Sequence, residues 1–509
     1  MLLLILFKLG GIMPKRYIVA IDAGTTSVRT VLYDVKTGAL LRAFGSKISQ
    51  SYPHIGWVDQ DAQEIWERIS ENLQKTLDNI SPEEIFGLGI TNQRETVVMW
   101  DKQTGKPLGP AICWQCKRTE KECLKIYKNE EKRNLIQQKT GLIVNSYFSA
   151  SKIKWLLDNN YDSIKLFKQN RLCCGTLDSY LVFMLTNGKH FVTEPSNASR
   201  TMLYNIHTGV WDDDLLNMFG IPKSILPEVV DSNSYIGDAS INGKEIKIGG
   251  ILGDQQASLM GQACFDEGNI KNTYGTGSFL LLNIGCKPTV NNNTKMLTTV
   301  AWRLNGKTTY ALEGSVFNAG SCVSWLKNQA GLISNAGETQ DLSLSVNNTM
   351  GVRFVPAFSG LGAPFWNDSV RAGFYNITLG ATKAHLVRSV LESITYSVKA
   401  ITDQMKKDSK IEITDVRVDG GMTVNQFFVQ YQSDVLDKQI IVAKESESTS
   451  VGAAFVCGLT FGAFKDFDDL RRMYKIGKVY KPSKNKVNAQ VEYTQWYKLV
   501  KNLDNKQKD

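Results

Sequence analysis

Hydrophobic and polar positions along this chain follow two periods, one of strands and one of helices. Residues 17–21 are a short apolar run. They lead into Asp22-Ala23-Gly24-Thr25-Thr26-Ser27 and then a second apolar, β-branched run over 28–35. Two such runs around a Gly/Thr turn predict a β-hairpin. Behind Asp61, the residues Ile65, Trp66, Ile69, Leu73 and Leu77 recur at helical spacing, and Asp61 with Glu64 matches a capping box. Residues 81–84 read as a turn or short cap and 85–90 as a buried strand, with Thr91-Asn92-Gln93-Arg94-Glu95-Thr96 at its end. Strands alternating with helices give an α/β fold. The second half repeats this order more loosely. Thr273-Tyr274-Gly275-Thr276-Gly277-Ser278 precedes a strand over 279–284, and strand-like segments follow at 297–302 and 308–312. Helices are expected at 317–327, 384–405, 425–436 and 450–459, and a strand over 416–419 ends in Gly420-Gly421.

At 509 residues the chain is too long for one hydrophobic core, so two large domains are expected. The expected division is an N-terminal extension of little structure over 1–14, a first lobe over 15–262, a second over 263–480, and a C-terminal helix with a basic tail over 481–509. A hydrophobic content of 42% and a charged content of 21% are those of a soluble globular protein. The net charge of +9 is spread along the chain except in a Lys-rich tail. This favours a solvated surface that attracts anionic substrates over a nucleic-acid groove. The nine cysteines are odd in number and mostly in apolar surroundings, as in a cytoplasmic protein with reduced thiols. Cys113 and Cys116 form a C-x-x-C, but Cys173 and Cys174 are adjacent and do not supply a second zinc-binding pair. The six apolar residues 2–7 fall far short of the roughly 20 that a membrane-spanning helix needs.

The two Gly/Thr loops hold most of the candidate chemistry. Each offers small residues, hydroxyls and backbone N–H groups suited to a phosphate chain. Thr25, Thr26 and Ser27 can donate to phosphate oxygens, Arg29 can neutralise them, and Asp22 at the strand end can hold Mg²⁺. The competing reading is a turn whose Asp and Thr bond only local backbone. Gly275, Thr276 and Gly277 permit close backbone approach. Gly420 and Gly421, just before a helix starting near Asn425, leave bare backbone for a purine, with the Asn side chain in reach. A plain strand-to-helix turn is the alternative there. Asp254 follows the apolar run 248–252, where it serves either as a helix cap or as a general base for a hydroxyl. Arg94 and Glu95, with Trp114 beyond them, supply a donor, an acceptor and an aromatic face for a small polyol. A surface ion pair beside a core Trp is the plainer reading. Residues 301–308 imitate a P-loop, but Asn305-Gly306 is a hairpin turn signal. His54, His190, His207 and His385 are scattered and suggest no metal site.

Six segments in order resemble the FGGY carbohydrate kinases over about residues 17–464. They are Thr91-Asn92-Gln93-Arg94-Glu95-Thr96, Trp114-Gln115-Cys116, Asn197-Ala198-Ser199-Arg200-Thr201-Met202, Gly253-Asp254-Gln255-Gln256, Asn272-Thr273-Tyr274-Gly275-Thr276-Gly277 and Arg417-Val418-Asp419-Gly420-Gly421. The resemblance implies two actin-like, ribonuclease-H-like lobes with a nucleotide cleft between them. It implies ATP and Mg²⁺, transfer of the γ-phosphoryl to glycerol to give sn-glycerol 3-phosphate, and a homo-oligomer, dimer or tetramer. Carried over by position, Arg94, Glu95, Tyr147, Asp254 and Gln255 bind the glycerol hydroxyls, Trp114 and Phe279 pack on its carbons, and Asp254 is the base. Thr25, Thr26, Ser27, Arg29, Thr276, Gly320, Gly421 and Asn425 hold the nucleotide, with Asp22 near the metal. The chain departs from the pattern in four places. Ala23 stands where many members have Gln, Lys117 where Arg is usual, Ser324 where a Gln contacts nucleotide, and Asn376 where the second signature has Gly. Residues 240–248 lack the glycine-rich loop through which some bacterial members bind fructose 1,6-bisphosphate. A pentulose kinase of the same family and an ATP-gated scaffold on the same lobes are the rival readings.

Overall fold

The computed structural model describes residues 15–290, 295–444 and 447–506. The expected extension, 1–14, and the end of the basic tail, 507–509, lie outside the described residues. The chain divides into two units. One holds the described residues up to Ala263 together with Thr299–Thr309 and Thr449–Tyr474; the other holds Cys264–Thr298, Tyr310–Ser448 and the residues from Lys475 onward. A single cut after residue 262 does not reproduce this division, because two later stretches of chain group with the first unit.

The first unit is built on β1 (Tyr17–Ala23), β2 (Ser27–Asp34), β3 (Ala39–Lys47), β4 (Ile85–Asn92), β5 (Tyr235–Ile241) and β6 (Lys244–Gly253), in the order β5-β6-β4-β1-β2-β3. The expected hairpin is β1 with β2, antiparallel, Ala23 opposite Val28. β1 runs parallel to β4, Asp22 opposite Thr91, and β4 parallel to β6, Asn92 opposite Gly253. Three parallel strands therefore end together, and at their carboxyl ends stand Asp22, the Asn92-Gln93-Arg94 stretch and Gly253-Asp254. Such ends are where α/β sheets place ligands.

A seven-stranded sheet is formed by β7 (Asn269–Tyr274), β8 (Ser278–Asn283), β9 (Leu297–Leu304), β10 (Lys307–Val316), β11 (Asp415–Gly420), β12 (Ile440–Ala443) and β13 (Ile476–Tyr480), in the order β9-β10-β8-β7-β11-β12-β13; its strands belong to the second unit except for the stretch Thr299–Thr309 of β9 and β10, which groups with the first. β10 pairs antiparallel with β8 and β8 with β7, whereas β7–β11 and β11–β12 are parallel. In the first unit β3, β2, β1, β4 and β6 have the same order and the same sequence of orientations. The two similar loops are thus the equivalent turns of two copies of one sheet motif. The P-loop lookalike is the β9–β10 hairpin, and Asn305 and Gly306 take φ of 49° and 76°, the positive values of a type I′ turn.

The helix predicted behind Asp61 spans Ala62–Thr76 and packs on β2 and β3, with Ile65, Ile69 and Leu73 fully buried. Burial of each contributes about 1.5–3 kcal/mol. The capping box does not form. Asp61 caps through the Gln63 N–H at 2.8 Å, while Glu64 turns away to accept from Ser49 N at 3.3 Å and Ser49 Oγ at 3.2 Å. In the second unit the C-terminal helix Lys486–Lys506 buries Ala489, Trp496 and Val500 in a core with Val355, Tyr396 and Val435, so it is part of that unit's interior. All nine cysteines are free thiols. No helix among the described residues is long and apolar enough to cross a membrane.

Candidate active site

The loop after β4 begins where Asn92 ends the strand, and it turns sharply because Glu95 adopts φ of 61°. A left-handed glutamate costs roughly 1–3 kcal/mol and persists only where its surroundings hold it. Here they do. The Glu95 carboxylate accepts from Arg200 Nε at 2.6 Å, and its carbonyl accepts from Ser149 Oγ at 3.1 Å and Lys152 Nζ at 3.4 Å. Glu95, Arg200 and Lys152 are all buried. Burial pushes the Lys152 amine down to about 8, against the pull of the Glu95 carboxylate. Lys152 also donates to the Tyr147 carbonyl at 2.6 Å, so one ammonium anchors the backbone of two predicted polyol residues.

Arg94 and Glu95 do not lie on the surface; both are buried. Arg94 is 3% exposed, and its Nε lies 3.2 Å from Asp254 Oδ1, the first residue of the helix Asp254–Gly261. Arg94 Nη1 also donates to Gln256 Oε1 at 3.3 Å. Asp254 is not the helix cap, because Gly253 holds that position; its carboxylate accepts from the Gln255 N–H at 2.7 Å and remains half-buried. Gln255 is half-buried beside it. Trp114 meets Tyr147 edge-on at 5.5 Å between ring centroids. The Arg200 guanidinium lies over Tyr147 and Phe148, at 5.6 and 5.2 Å. Arg94, Glu95, Trp114, Tyr147 and Asp254 therefore belong to one constellation of the first unit. Two charges, a carboxylate acceptor and two aromatic faces suit a small polyhydroxy compound.

The same unit ties this constellation to the first Gly/Thr turn, residues 24–26. Trp114 Nε1 donates to Thr25 Oγ1 at 2.9 Å, and Gln60 Nε2 to the Thr25 carbonyl at 2.6 Å. Gln93, next to Arg94, donates to Gln60 Oε1 at 2.8 Å and to the Gly24 carbonyl at 3.3 Å. Thr26 is exposed, Thr25 and Ser27 are half-buried, and half-buried Arg29 stands opposite Asp22 in the hairpin. The Thr91 hydroxyl, at the register position beside Asp22, is buried and has no hydrogen-bond partner among the described residues.

In the second unit Thr276 and Gly320 come together. The Gly320 N–H donates to the Gly275 carbonyl at 3.0 Å, and the Ala319 and Ser321 N–H groups donate to the Thr276 carbonyl at 2.9 and 3.1 Å. The Thr276 side is left exposed. The Gly420-Gly421 pair separates into two roles. Gly420 has φ of 94°, and a Cβ there would fall 2.2 Å from the Tyr274 carbonyl oxygen, so the fold itself demands glycine. Gly421 is exposed, and a Cβ there would meet nothing within 4 Å. Asn425 caps the helix Gln426–Leu436 through the Phe428 N–H at 2.9 Å and donates to Thr339 Oγ1 at 3.1 Å, which leaves one amide hydrogen for a ligand. Half-buried Phe279 sits in β8, opposite Thr273. Ser324 is exposed on the helix Gly320–Asn328. Asn376 takes φ of 60°, the left-handed region that Asn tolerates where Gly is usual.

Two residues that hold this constellation had no role assigned from sequence: Lys152 and Arg200. Arg200 lay within a segment already singled out; a lysine among the apolar positions of the helix Ser149–Asn159 was the available signal for Lys152.

Residues 17–261 match the N-terminal domain of the FGGY family of carbohydrate kinases, and residues 270–461 match its C-terminal domain. The chain is 44% identical over 489 residues to glycerol kinase 2 of Thermotoga maritima, covering 95% of this chain and 98% of that protein. The crystal structure of Plasmodium falciparum glycerol kinase with ADP superposes with a TM-score of 0.90 at 36% identity, covering 96% of this chain and 99% of that one. Ligand-bound xylulose kinase from Lactobacillus acidophilus, 21% identical and covering 96% and 98%, shares the fold with a TM-score of 0.86. By its sheet motif, its matched domains and this level of identity, the chain belongs to the FGGY family of carbohydrate kinases.

Proposed function

We propose that this protein transfers the γ-phosphoryl group of ATP to a terminal hydroxyl of glycerol, giving sn-glycerol 3-phosphate and ADP in the cytoplasm. The observation that carries the reading is the buried Arg94 guanidinium held 3.2 Å from the half-exposed Asp254 carboxylate, beside the Trp114–Tyr147 pair. Arg94 and Glu95 fix the hydroxyls as donor and acceptor, and the aromatic edges cover the carbon chain. Asp254 accepts the proton of the attacking hydroxyl, and the oxygen moves in line onto phosphorus. In the first unit Thr25, Thr26, Ser27 and Arg29 are the candidates for the phosphate chain, and in the second unit Thr276, Gly320, Gly421 and Asn425 are the candidates for nucleotide binding. The relatives named glycerol kinase support the choice of a triol over a larger sugar.

Asp22 fits Mg²⁺, which takes one or two carboxylates and keeps several waters. No cluster of three metal-ligating side chains exists among the described residues; Asp22 would hold the ion, and the orphaned Thr91 hydroxyl stands at the register position beside it. The ion when bound neutralises charge on the transferring phosphates. The deciding experiment is ADP release with ATP and a panel of glycerol and ketopentoses. Glycerol is expected to give the highest kcat/KM, and a ketopentose preference would overturn the substrate assignment.

Gly421 gives a second test. The Cβ that Gly421→Val adds meets no atom within 4 Å at this exposed position, so the unfolding midpoint should stay close to that of the wild type. The KM for ATP should rise about tenfold, the scale of one lost contact worth ~1.4 kcal/mol. An unchanged KM for ATP would remove Gly421 from the nucleotide site.

A further inference from the structure

Glu194 is a fully buried carboxylate outside the set described above. It caps the short helix Pro195–Ala198 and receives five hydrogen bonds. The Ser196 N–H and Ser232 Oγ donate to Oε2, each at 2.8 Å. The Asn197 N–H at 2.8 Å, Asn197 Nδ2 at 3.1 Å and the Ser196 hydroxyl donate to Oε1. Every partner is a donor. Because Ser196 spends its proton on Glu194, its oxygen faces outward as an acceptor and takes the Gly253 N–H at 2.8 Å. Gly253 is the cap of the helix that begins with Asp254.

The second branch runs through Asn197. Its amide forms a two-way pair with Asn92, at 2.9 and 3.0 Å, and Asn92 Nδ2 also donates to the Gln93 carbonyl at 2.9 Å. That stretch leads directly into Arg94. We infer that Glu194 is a positioning residue: its carboxylate orients Ser196 and Asn197, which hold in place the two chain segments that carry Asp254 and Arg94. The inference rests on the roles proposed above for those two residues. Burial pushes the Glu194 carboxyl up to about 7, and the Ser196 and Ser232 bonds pull it back down.

An amide cannot replace this carboxylate in either orientation. With its NH₂ at the Oε1 position it faces the Asn197 N–H, and at the Oε2 position it faces the Ser196 N–H. Glu194→Gln is therefore expected to lower kcat and weaken calorimetric glycerol binding, each by about ten- to a hundredfold, the range of one lost hydrogen bond to a buried charge. ADP affinity should stay within a factor of about two, and Glu194→Asp should restore most of the loss because it keeps an acceptor-only cap. Ser196→Ala removes the hydroxyl that links Glu194 to the Gly253 N–H and leaves the Asn197 branch in place, so it should lower kcat even if Glu194→Gln does not fold. Wild-type kcat and glycerol affinity in folded Glu194→Gln, or in Ser196→Ala, would overturn the inference. Equal losses of glycerol and ADP affinity would overturn it too, since they report a general collapse. Asp254→Asn in parallel separates the two claims. If that variant turns over normally while Glu194→Gln loses glycerol affinity, only the choice of base falls.

Discussion

Asp254→Asn is expected to lower kcat for glycerol phosphorylation roughly 10³-fold while ATP binding is retained, the scale of a lost general base. The substitution is almost isosteric. The amide oxygen can still accept from the Gln255 N–H, now at 2.7 Å, and from Arg94 Nε, now at 3.2 Å, so the helix start and the arginine stay where they are. What is lost is the capacity to take a proton from the attacking hydroxyl. Without it the alcohol attacks as a neutral, poorly oriented nucleophile. The glycerol KM should change far less than kcat, because the groups that bind the triol remain. Steady-state kinetics with a coupled ADP assay, beside calorimetric titration of ADP, measures both terms. Normal turnover in the variant would end the role of Asp254, and a parallel loss of ADP affinity would show that the substitution had disturbed the fold instead.

The features legible in the sequence are local ones. The hairpin β1–β2 is written as apolar, β-branched runs around small residues, the strand β8 as the apolar run after the second loop, and the helix Gln426–Leu436 lies within one residue of the pattern that announced it. The Asn305-Gly306 hairpin was separable from a phosphate loop by turn chemistry alone. Tertiary preference overrode the local signal at Glu64, which leaves the capping box to bind Ser49 across 15 residues. The partners of the site were illegible for the same reason. Arg94 and Glu95 are neighbours with opposite charges, and an ion pair between them is the obvious reading. Both are buried and take partners from far along the chain, Glu95 from Arg200 across 105 residues and Arg94 from Gln256 across 162. No periodicity encodes such contacts. The return of Thr299–Thr309 and Thr449–Tyr474 to the first unit is equally silent, because no change in composition marks either crossing.

Arg94→Ala is expected to reduce kcat/KM for glycerol roughly 10³-fold, with most of the change in KM and the KM for ATP unaltered. A site built to hydrogen-bond a hydroxyl loses this much when a buried charged donor is removed, because the remaining polar groups are left without their partner. The geometry makes the loss compound. Arg94 packs its stem against Gly253, where a Cβ would lie 2.7 Å from the Arg94 Cγ and Cδ, and its guanidinium reaches both Asp254 and Gln256. Truncation therefore opens a void beside the strand end, strips the Asp254 carboxylate of its counter-charge and takes the Arg94 donor from Gln256 Oε1, while Gln256 Nε2 stays bonded to the Val300 carbonyl at 3.1 Å and Thr299 Oγ1 at 3.3 Å. Arg94→Lys should not restore binding. A single ammonium on a flexible stem cannot span the 3.2 Å contact to Asp254 and the 3.3 Å contact to Gln256 in the fixed fork that guanidinium provides. Glycerol affinity measured directly by calorimetry, compared with the apparent KM, separates lost binding from lost turnover. An Arg94→Ala enzyme with wild-type glycerol affinity would mean that the triol binds elsewhere, and Glu95, Trp114 and Tyr147 would lose their assignments with it.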